Sequence, residues 1–270
     1  MKRLILVSIL ATLMFSSFAQ DSTGRRKLSK TDRKEERRER VNAMIKQEEE
    51  GALIYSKQSV FGIQLRTNGY GAFYELGKMN TRRKTSLYTV ELTEIKDPKE
   101  EKIPTSASFF SVANPYVFGK INNFYPFRLG FGQQYLLGQK GNKNGVAVTA
   151  IYHGGLSLGL LRPYYLEIDD STGTKKIRYT AEDSASFTNK SIIRGSGGIG
   201  TGWGQIKFKP GIYAKGALRF DYGRYNEMVS GIEIGISVEV YAQKIPILLY
   251  TKERQIFFQG HIAILFGRRK

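Results

Sequence analysis

Cysteine is absent from the 270 residues. That absence excludes a disulfide framework, a Cys-ligated zinc site, a thiol nucleophile and a lipid-bearing N-terminal cysteine. Histidine occurs only twice, so a metal centre would have to be built from scattered carboxylates. After the N-terminus no stretch reaches the roughly 18 uninterrupted apolar residues that a membrane-crossing helix needs. Acids are scarce as well, 24 against 42 Lys and Arg, leaving a formal charge of +18. Such a surplus points first to nucleic acid or another anionic partner. What is present argues against a polar disordered chain: 41% hydrophobic residues, 12% aromatics and 29 glycines.

Met1, Lys2 and Arg3 form a short basic start, and residues 4–15 are an apolar run. Ser17 and Ala19 then place small residues where signal peptidase reads. Residues 1–19 are therefore expected to be a secretory signal peptide cleaved after Ala19. Export removes nucleic acid from the expected partners. Residues 20–55 read as a charged periplasmic extension, partly helical. Good helix formers dominate residues 25–50, and Glu36 precedes Arg40 at a supportive i,i+4 spacing. The only apolar cluster there is Val41, Met44 and Ile45, too narrow a stripe to enter a core. The extension is expected to be a solvated helix or a short docking helix.

Beyond Gly51 the period changes to two. Phe61, Ile63 and Leu65 alternate with Gln64 and Arg66. Tyr74 and Leu76 flank Glu75, and Tyr88, Val90 and Leu92 alternate with Thr89 and Glu91. The pattern recurs over 124–136, from 145 onward, and over 211–222, 228–241 and 256–267. It predicts about eight strands of roughly the 9–11 residues that a tilted membrane strand requires. No βαβ spacing appears, so a parallel sheet is not expected.

Alternation alone leaves the direction of the apolar face open. A lipocalin-like soluble barrel would turn it inward. Three features turn it outward. The polar face carries both signs of charge, with Arg66, Arg128, Lys215 and Arg219 beside Glu75, Glu91, Asp221, Glu233 and Glu239. A narrow lumen requires that balance, because an unpaired buried charge is costly. Connections alternate between short turns and long loops, the long ones near 97–122, 167–210 and 243–254. The last alternating segment reaches Phe266 and is expected to close against the first, leaving no edge.

On this pattern the chain, over residues 59–270, resembles small outer-membrane β-barrel proteins of Gram-negative bacteria. The resemblance implies an all-β, antiparallel, up-and-down transmembrane barrel over 56–270. Its long loops would be extracellular, with the N-terminal extension and the C-terminus in the periplasm. Such barrels include adhesins, lipid A-modifying enzymes and subunits of envelope assembly machines.

Residues that carry chemistry are few. The glycine-rich segment 195–204 lacks the Gly-Lys-Ser/Thr ending of a phosphate loop and is expected to be a flexible or tightly turned outer loop. His153 and His261 fall on the lumen face. A triad of His153, Ser157 and Glu233 or Glu239 would need the strand to bend at Gly154 and Gly155, because four residues span about 13 Å. No catalytic residue, cofactor or metal is expected, and an eight-stranded interior is expected to be filled by side chains. Two further stretches, 107–118 and 156–166, are read as aromatic-rich outer loops, either a cap or girdle or a partner surface. The candidate partner residues are Phe109, Phe110, Tyr116, Phe118, Tyr164 and Tyr165. Arg162, Lys175, Lys176 and Arg178 are candidate lipopolysaccharide contacts. The expected function is a non-enzymatic structural or accessory subunit of an envelope complex for outer-membrane protein assembly or secretion. Its expected partners are the outer membrane with its lipopolysaccharide and other envelope proteins. A lipid-modifying enzyme and a surface adhesion barrel are the competing readings.

Overall fold

Every alternating segment becomes a strand of one closed sheet. The computed structural model describes residues 34–35, 38–39, 55–104, 114–141, 144–170, 173–223 and 227–270. Strands β1 (Lys57–Arg66), β2 (Gly69–Thr81) and β3 (Lys84–Ile95) come first. Two short strands, β4 (Lys102–Ile103) and β5 (Tyr116–Val117), lie in the following loop. Next are β6 (Asn122–Gly138) and β7 (Ala147–Pro163), then β8 (Tyr165–Asp170), β9 (Gly173–Arg178) and β10 (Ile193–Ser196). The chain returns to the wall in β11 (Lys207–Asp221), β12 (Met228–Ile245) and β13 (Arg254–Arg269). The closed order is β1-β13-β12-β11-β7-β6-β3-β2, every neighbour antiparallel.

Closure is by the first and last strands, with Phe61 opposite Phe266 and Ile63 opposite Ile264. The Ser56 backbone N–H donates to the Lys270 carbonyl at 2.7 Å, so the ends of the sheet meet at one rim. That rim also carries the short connections β2–β3, β6–β7 and β11–β12; the long ones leave from the other rim.

The period-2 pattern decides which side chains face out. Phe61, Ile63, Leu65, Tyr88, Leu92, Ile232, Ile234, Ile262 and Phe266 are all exposed on the outer wall. An apolar girdle this continuous exceeds what a protein surface leaves in water. With every wall strand paired, the sheet meets the condition for crossing hydrocarbon. The barrel is a transmembrane one. No helix among the described residues is long and apolar enough to cross a membrane.

Inside, polar and apolar side chains form layers. Val60, Phe73, Val229, Ala263 and Leu265 pack together toward the turn rim. At the long-loop rim Ile95, Phe124, Leu161, Tyr241, Ile245 and Phe257 form a second apolar plug, completed by Ile247 from the β12–β13 loop. Inward glycines make room for large neighbours. A Cβ on Gly62 would lie 2.3 Å from the Phe73 ring, and one on Gly130 would lie 2.0 Å from the Tyr213 hydroxyl.

The long loops build a folded cap. β8, β9 and β10 form a three-stranded sheet followed, in packing, by a short helix, Ser184–Thr188. Leu166, Ile168, Ile177, Phe187 and Ile193 make its core, and Tyr116 from the β3–β6 loop enters the same cluster. The loops also bond to each other: the Ile121 N–H donates to the Ile247 carbonyl at 2.8 Å, and the Ser196 N–H to the Asn114 carbonyl at 3.2 Å.

Two expectations change here. Residues 156–163 are not loop: β7 runs unbroken to Pro163, with Leu156 and Leu158 outward and Leu161 in the plug. The glycine-rich segment is not loop throughout, since β10 takes its first residues and a 3-10 turn spans Trp203–Gln205. It does turn tightly, with positive φ at Gly198 and Gly202. Lys34, Glu35, Arg38 and Glu39 are helical and exposed. The expected signal peptide and, Tyr55 apart, the rest of the expected extension lie outside the described residues.

Candidate functional site

The lumen is a network of paired charges. Arg219 sits between Glu75 and Glu233, its Nη2 at 2.6 Å from each carboxylate. Lys215 bridges Glu233 at 2.8 Å and Glu91 at 3.3 Å. Arg128 lies 2.5 Å from Glu91 and 3.3 Å from Glu239. Arg66 completes the chain at 3.0 Å from Glu239, and also donates to Ser237 and Thr93. These cations and carboxylates come from β1, β2, β3, β6, β11 and β12, so the network ties opposite walls together. All are buried. Register explains part of it: Arg219 is directly opposite Glu233, and Glu91 opposite Arg128.

Asp221 lies at the turn rim, apart from this layer, 2.5 Å from Arg269 and 3.8 Å from Lys140. Lys140 also donates to the Gly223 carbonyl. Burial holds the Lys140 ammonium below its ordinary pKa, against the opposing pull of Asp221.

The candidate triad does not assemble. β7 keeps an unbroken pairing register with both neighbours through Gly154 and Gly155, and His153 Nδ1 meets the Tyr213 hydroxyl at 3.2 Å. Ser157 instead shares a 2.8 Å hydrogen bond with Tyr241, which donates to Glu239 at 2.6 Å. His261 faces Glu233 at 3.2 Å. Ser157 and His261 are hydrogen-bonded members of the filled lumen, His153 is bonded there through Nδ1 alone, and the apolar plug separates all three from the long-loop side. No cluster of three or more metal-ligating side chains occurs among the described residues. Tyr213, Tyr241, Ser237 and Thr93 were not singled out from the sequence. Their signal was parity, since each sits on the polar face of its strand. Lys140 and Arg269 carried no such signal.

At the long-loop rim three of the candidate partner residues, Tyr116, Phe118 and Tyr164, pack into the cap. Tyr116 is buried in the cap core, with Phe118 and Tyr164 packed against it. Tyr116 is therefore not an accessible partner surface, because the cap uses it to hold two loops together. Burial raises the pKa of its hydroxyl and that of Tyr164. Tyr164 accepts the Val117 N–H at 3.1 Å, and Tyr165 donates to Gln205 at 2.8 Å. Phe109 and Phe110 lie outside the described residues.

The candidate basic contacts separate into two groups. Lys175, Lys176 and Arg178 are on β9 in the cap sheet. Lys176 pairs with Glu167 at 3.2 Å, and Arg178 donates to Gln205 at 2.6 Å. Arg162 is on the barrel wall itself, at the end of β7 and under the loop, with its guanidinium 4.8 Å from the Trp203 ring centroid and 5.6 Å from that of Tyr125.

No family model and no curated protein matches the chain. Solved structures that align with it include small outer-membrane β-barrel proteins of Gram-negative bacteria. Ail, the attachment invasion locus protein of Yersinia pestis, aligns over 80% of this chain and 100% of its own at 10% identity and a TM-score of 0.38. Neisserial surface protein A aligns over 79% and 96%, at 10% identity and a TM-score of 0.36. The N-terminal β-barrel domain of Pseudomonas aeruginosa OprF aligns over 79% and 98%, at 10% identity and a TM-score of 0.32. Likeness at this level carries no functional meaning for this chain.

Proposed function

We propose that the chain is a non-enzymatic, non-conducting outer-membrane barrel that anchors a folded cap at the cell surface. It acts as a structural or accessory subunit of an envelope complex. The observation that carries this reading is the pairing of a filled, cross-braced lumen with long loops that share one hydrophobic core. A wall braced from inside is suited to holding something else in place. In this reading the cap faces outward, the chain ends and short turns face the periplasm, and lipopolysaccharide surrounds the cap. The charged extension, with its interleaved Arg, Lys and Glu, reaches partners on the periplasmic side.

The test is in-cell crosslinking with a photoreactive residue placed at exposed Tyr250 or Lys175, or in the extension, followed by purification under native conditions. A discrete envelope protein captured from at least one position is the expected result. If the chain purifies alone and no position captures a neighbour, the subunit role is wrong and the barrel acts by itself.

A further inference from the structure

Arg162 differs from every other buried arginine among the described residues. Arg66, Arg128, Arg219 and Arg269 each have a carboxylate within 3.0 Å. Arg162 is as enclosed, 6% exposed, yet its contacts are a carbonyl and two aromatic rings. Its Nη1 donates to the Ile199 carbonyl at 2.7 Å; its Nε has no acceptor, which Arg66, Arg128 and Arg269 share, so the missing carboxylate is what sets it apart. Its register partner on β6 is Asn123, also 6% exposed, and the Nδ2 of Asn123 has no acceptor either. A buried cation and a buried amide, side by side with unused donors, are the exception in folded proteins.

Their direction indicates what they are for. Phe124 and Leu161, the neighbours of Asn123 and Arg162, fill the lumen plug, so the alternation points Asn123 and Arg162 outward. Both line a groove of about 980 Å³ on the outer wall, roofed by residues of the loops, including Pro115 and Ile199. That volume is at the upper end of the roughly 300–1,000 Å³ that ligand sites span. Its floor includes Phe61, Ile63 and Leu92, part of the exposed girdle. Lys96, Lys102 and Lys120 join Arg162 there against Glu94 and Glu100, and Glu100 is already taken by Lys120 at 2.7 Å. Tyr70 and Tyr125 line the groove and Trp203 stacks on Tyr125. These are the ring types that mark the membrane–water interface.

We infer that this groove binds a phosphate-bearing membrane lipid. The headgroup phosphate accepts from Arg162 Nε and Asn123 Nδ2, with Lys96 and Lys102 as additional point charges. An acyl chain lies along Phe61, Ile63 and Leu92. A soluble anion would leave the apolar floor unused, and an uncharged lipid would leave the buried donors unanswered. The inference does not depend on the complex proposed above, only on the transmembrane wall.

The experiment uses the full chain purified in detergent and incubated with lipid A, phosphatidylglycerol, diacylglycerol or inorganic phosphate. Native mass spectrometry reads the retained lipid. Heat-dependent gel migration confirms that each variant is folded. Lipid A or phosphatidylglycerol should be retained well above diacylglycerol, and excess inorganic phosphate should displace it poorly. Arg162→Gln should lower retention roughly tenfold or more, and the rim variant Lys96→Gln/Lys102→Gln should lower it several-fold. Lys252→Gln, exposed in the β12–β13 loop, should leave it unchanged. If Arg162→Gln does not fold, the rim variant decides. Diacylglycerol retained equally, inorganic phosphate displacing the lipid at parity, or folded variants retaining lipid like the parent would each overturn the inference.

Discussion

Arg219 shows what a lumen charge does in this barrel. It contacts Glu75 on one side and Glu233 on the other, and Glu233 is shared with Lys215 and His261. In a site closed to water, removing one partner leaves the others uncompensated. Arg219→Met should therefore cost about 3–5 kcal/mol, read as a shift in reversible urea unfolding in lipid vesicles. Combining it with Glu75→Gln and Glu233→Gln should recover part of that loss, because the stranded charges go with their partner. If the single and combined variants lose the same stability, the cross-wall pairing is not what braces the barrel. The neighbour of Glu233 lies on the other face: Ile234 is exposed on the lipid side while Glu233 is buried. One step along β12 separates the most polar environment in the molecule from the most apolar, as the pleat requires.

Among the elements, the wall strands and the cap strands differ in how they are held. Wall strands have two neighbours each and belong to a closed ring. The β8–β9–β10 sheet is open and relies on one small core with Phe187 at its centre. Phe187→Ala should remove about 3–5 kcal/mol of packing from that core, enough to open a module of this size locally. Limited proteolysis should then cut within residues 164–206, while the barrel keeps its folded, heat-sensitive gel migration. Loss of the folded barrel band in the same variant would mean that cap and wall unfold as one unit. The wall was legible in the sequence because alternation over ten or more residues has few other meanings. The cap was not. Ile177 follows three polar residues, Phe187 lies in a run of small polar ones, and Tyr116 joins from a loop distant in sequence. No local period links them, and the aromatic and leucine-rich residues 156–163 look like loop in sequence although they extend β7.

For the molecule as a whole, the formal charge of +18 is not in the lumen, where Arg66, Arg128, Lys215 and Arg219 are answered by Glu75, Glu91, Glu233 and Glu239. Much of the surplus lies at the turn rim, where Lys57, Lys78, Arg82, Arg83, Lys84 and Arg268 are exposed. A basic rim at the membrane surface favours anionic lipid headgroups. The interior is closed twice, by charge pairing and by the apolar plug under the cap. Planar-bilayer recordings of the refolded chain should therefore show no stable conductance steps, both for the parent and after protease removal of the cap. Steady, large steps from the parent protein would mean that the lumen opens in a way the filled layers do not allow.

The order of residues alone determined the eight wall strands, their polar and apolar faces, and most members of the lumen network; Asp221, expected in it, pairs at the turn rim instead. Each of these follows from a period of two and from the need to balance buried charge. Only the tertiary structure decided which charges meet, because Arg66, Arg128 and Glu239 reach each other across the lumen from strands that do not pair. It likewise decided that Tyr116 is a core residue and not a surface. It also distinguished Arg162 from Lys175, Lys176 and Arg178, which look alike as basic residues in sequence. Its isolation from carboxylates and its place beside Asn123 under a loop depend on barrel closure and cap folding, and neither leaves a local trace along the chain.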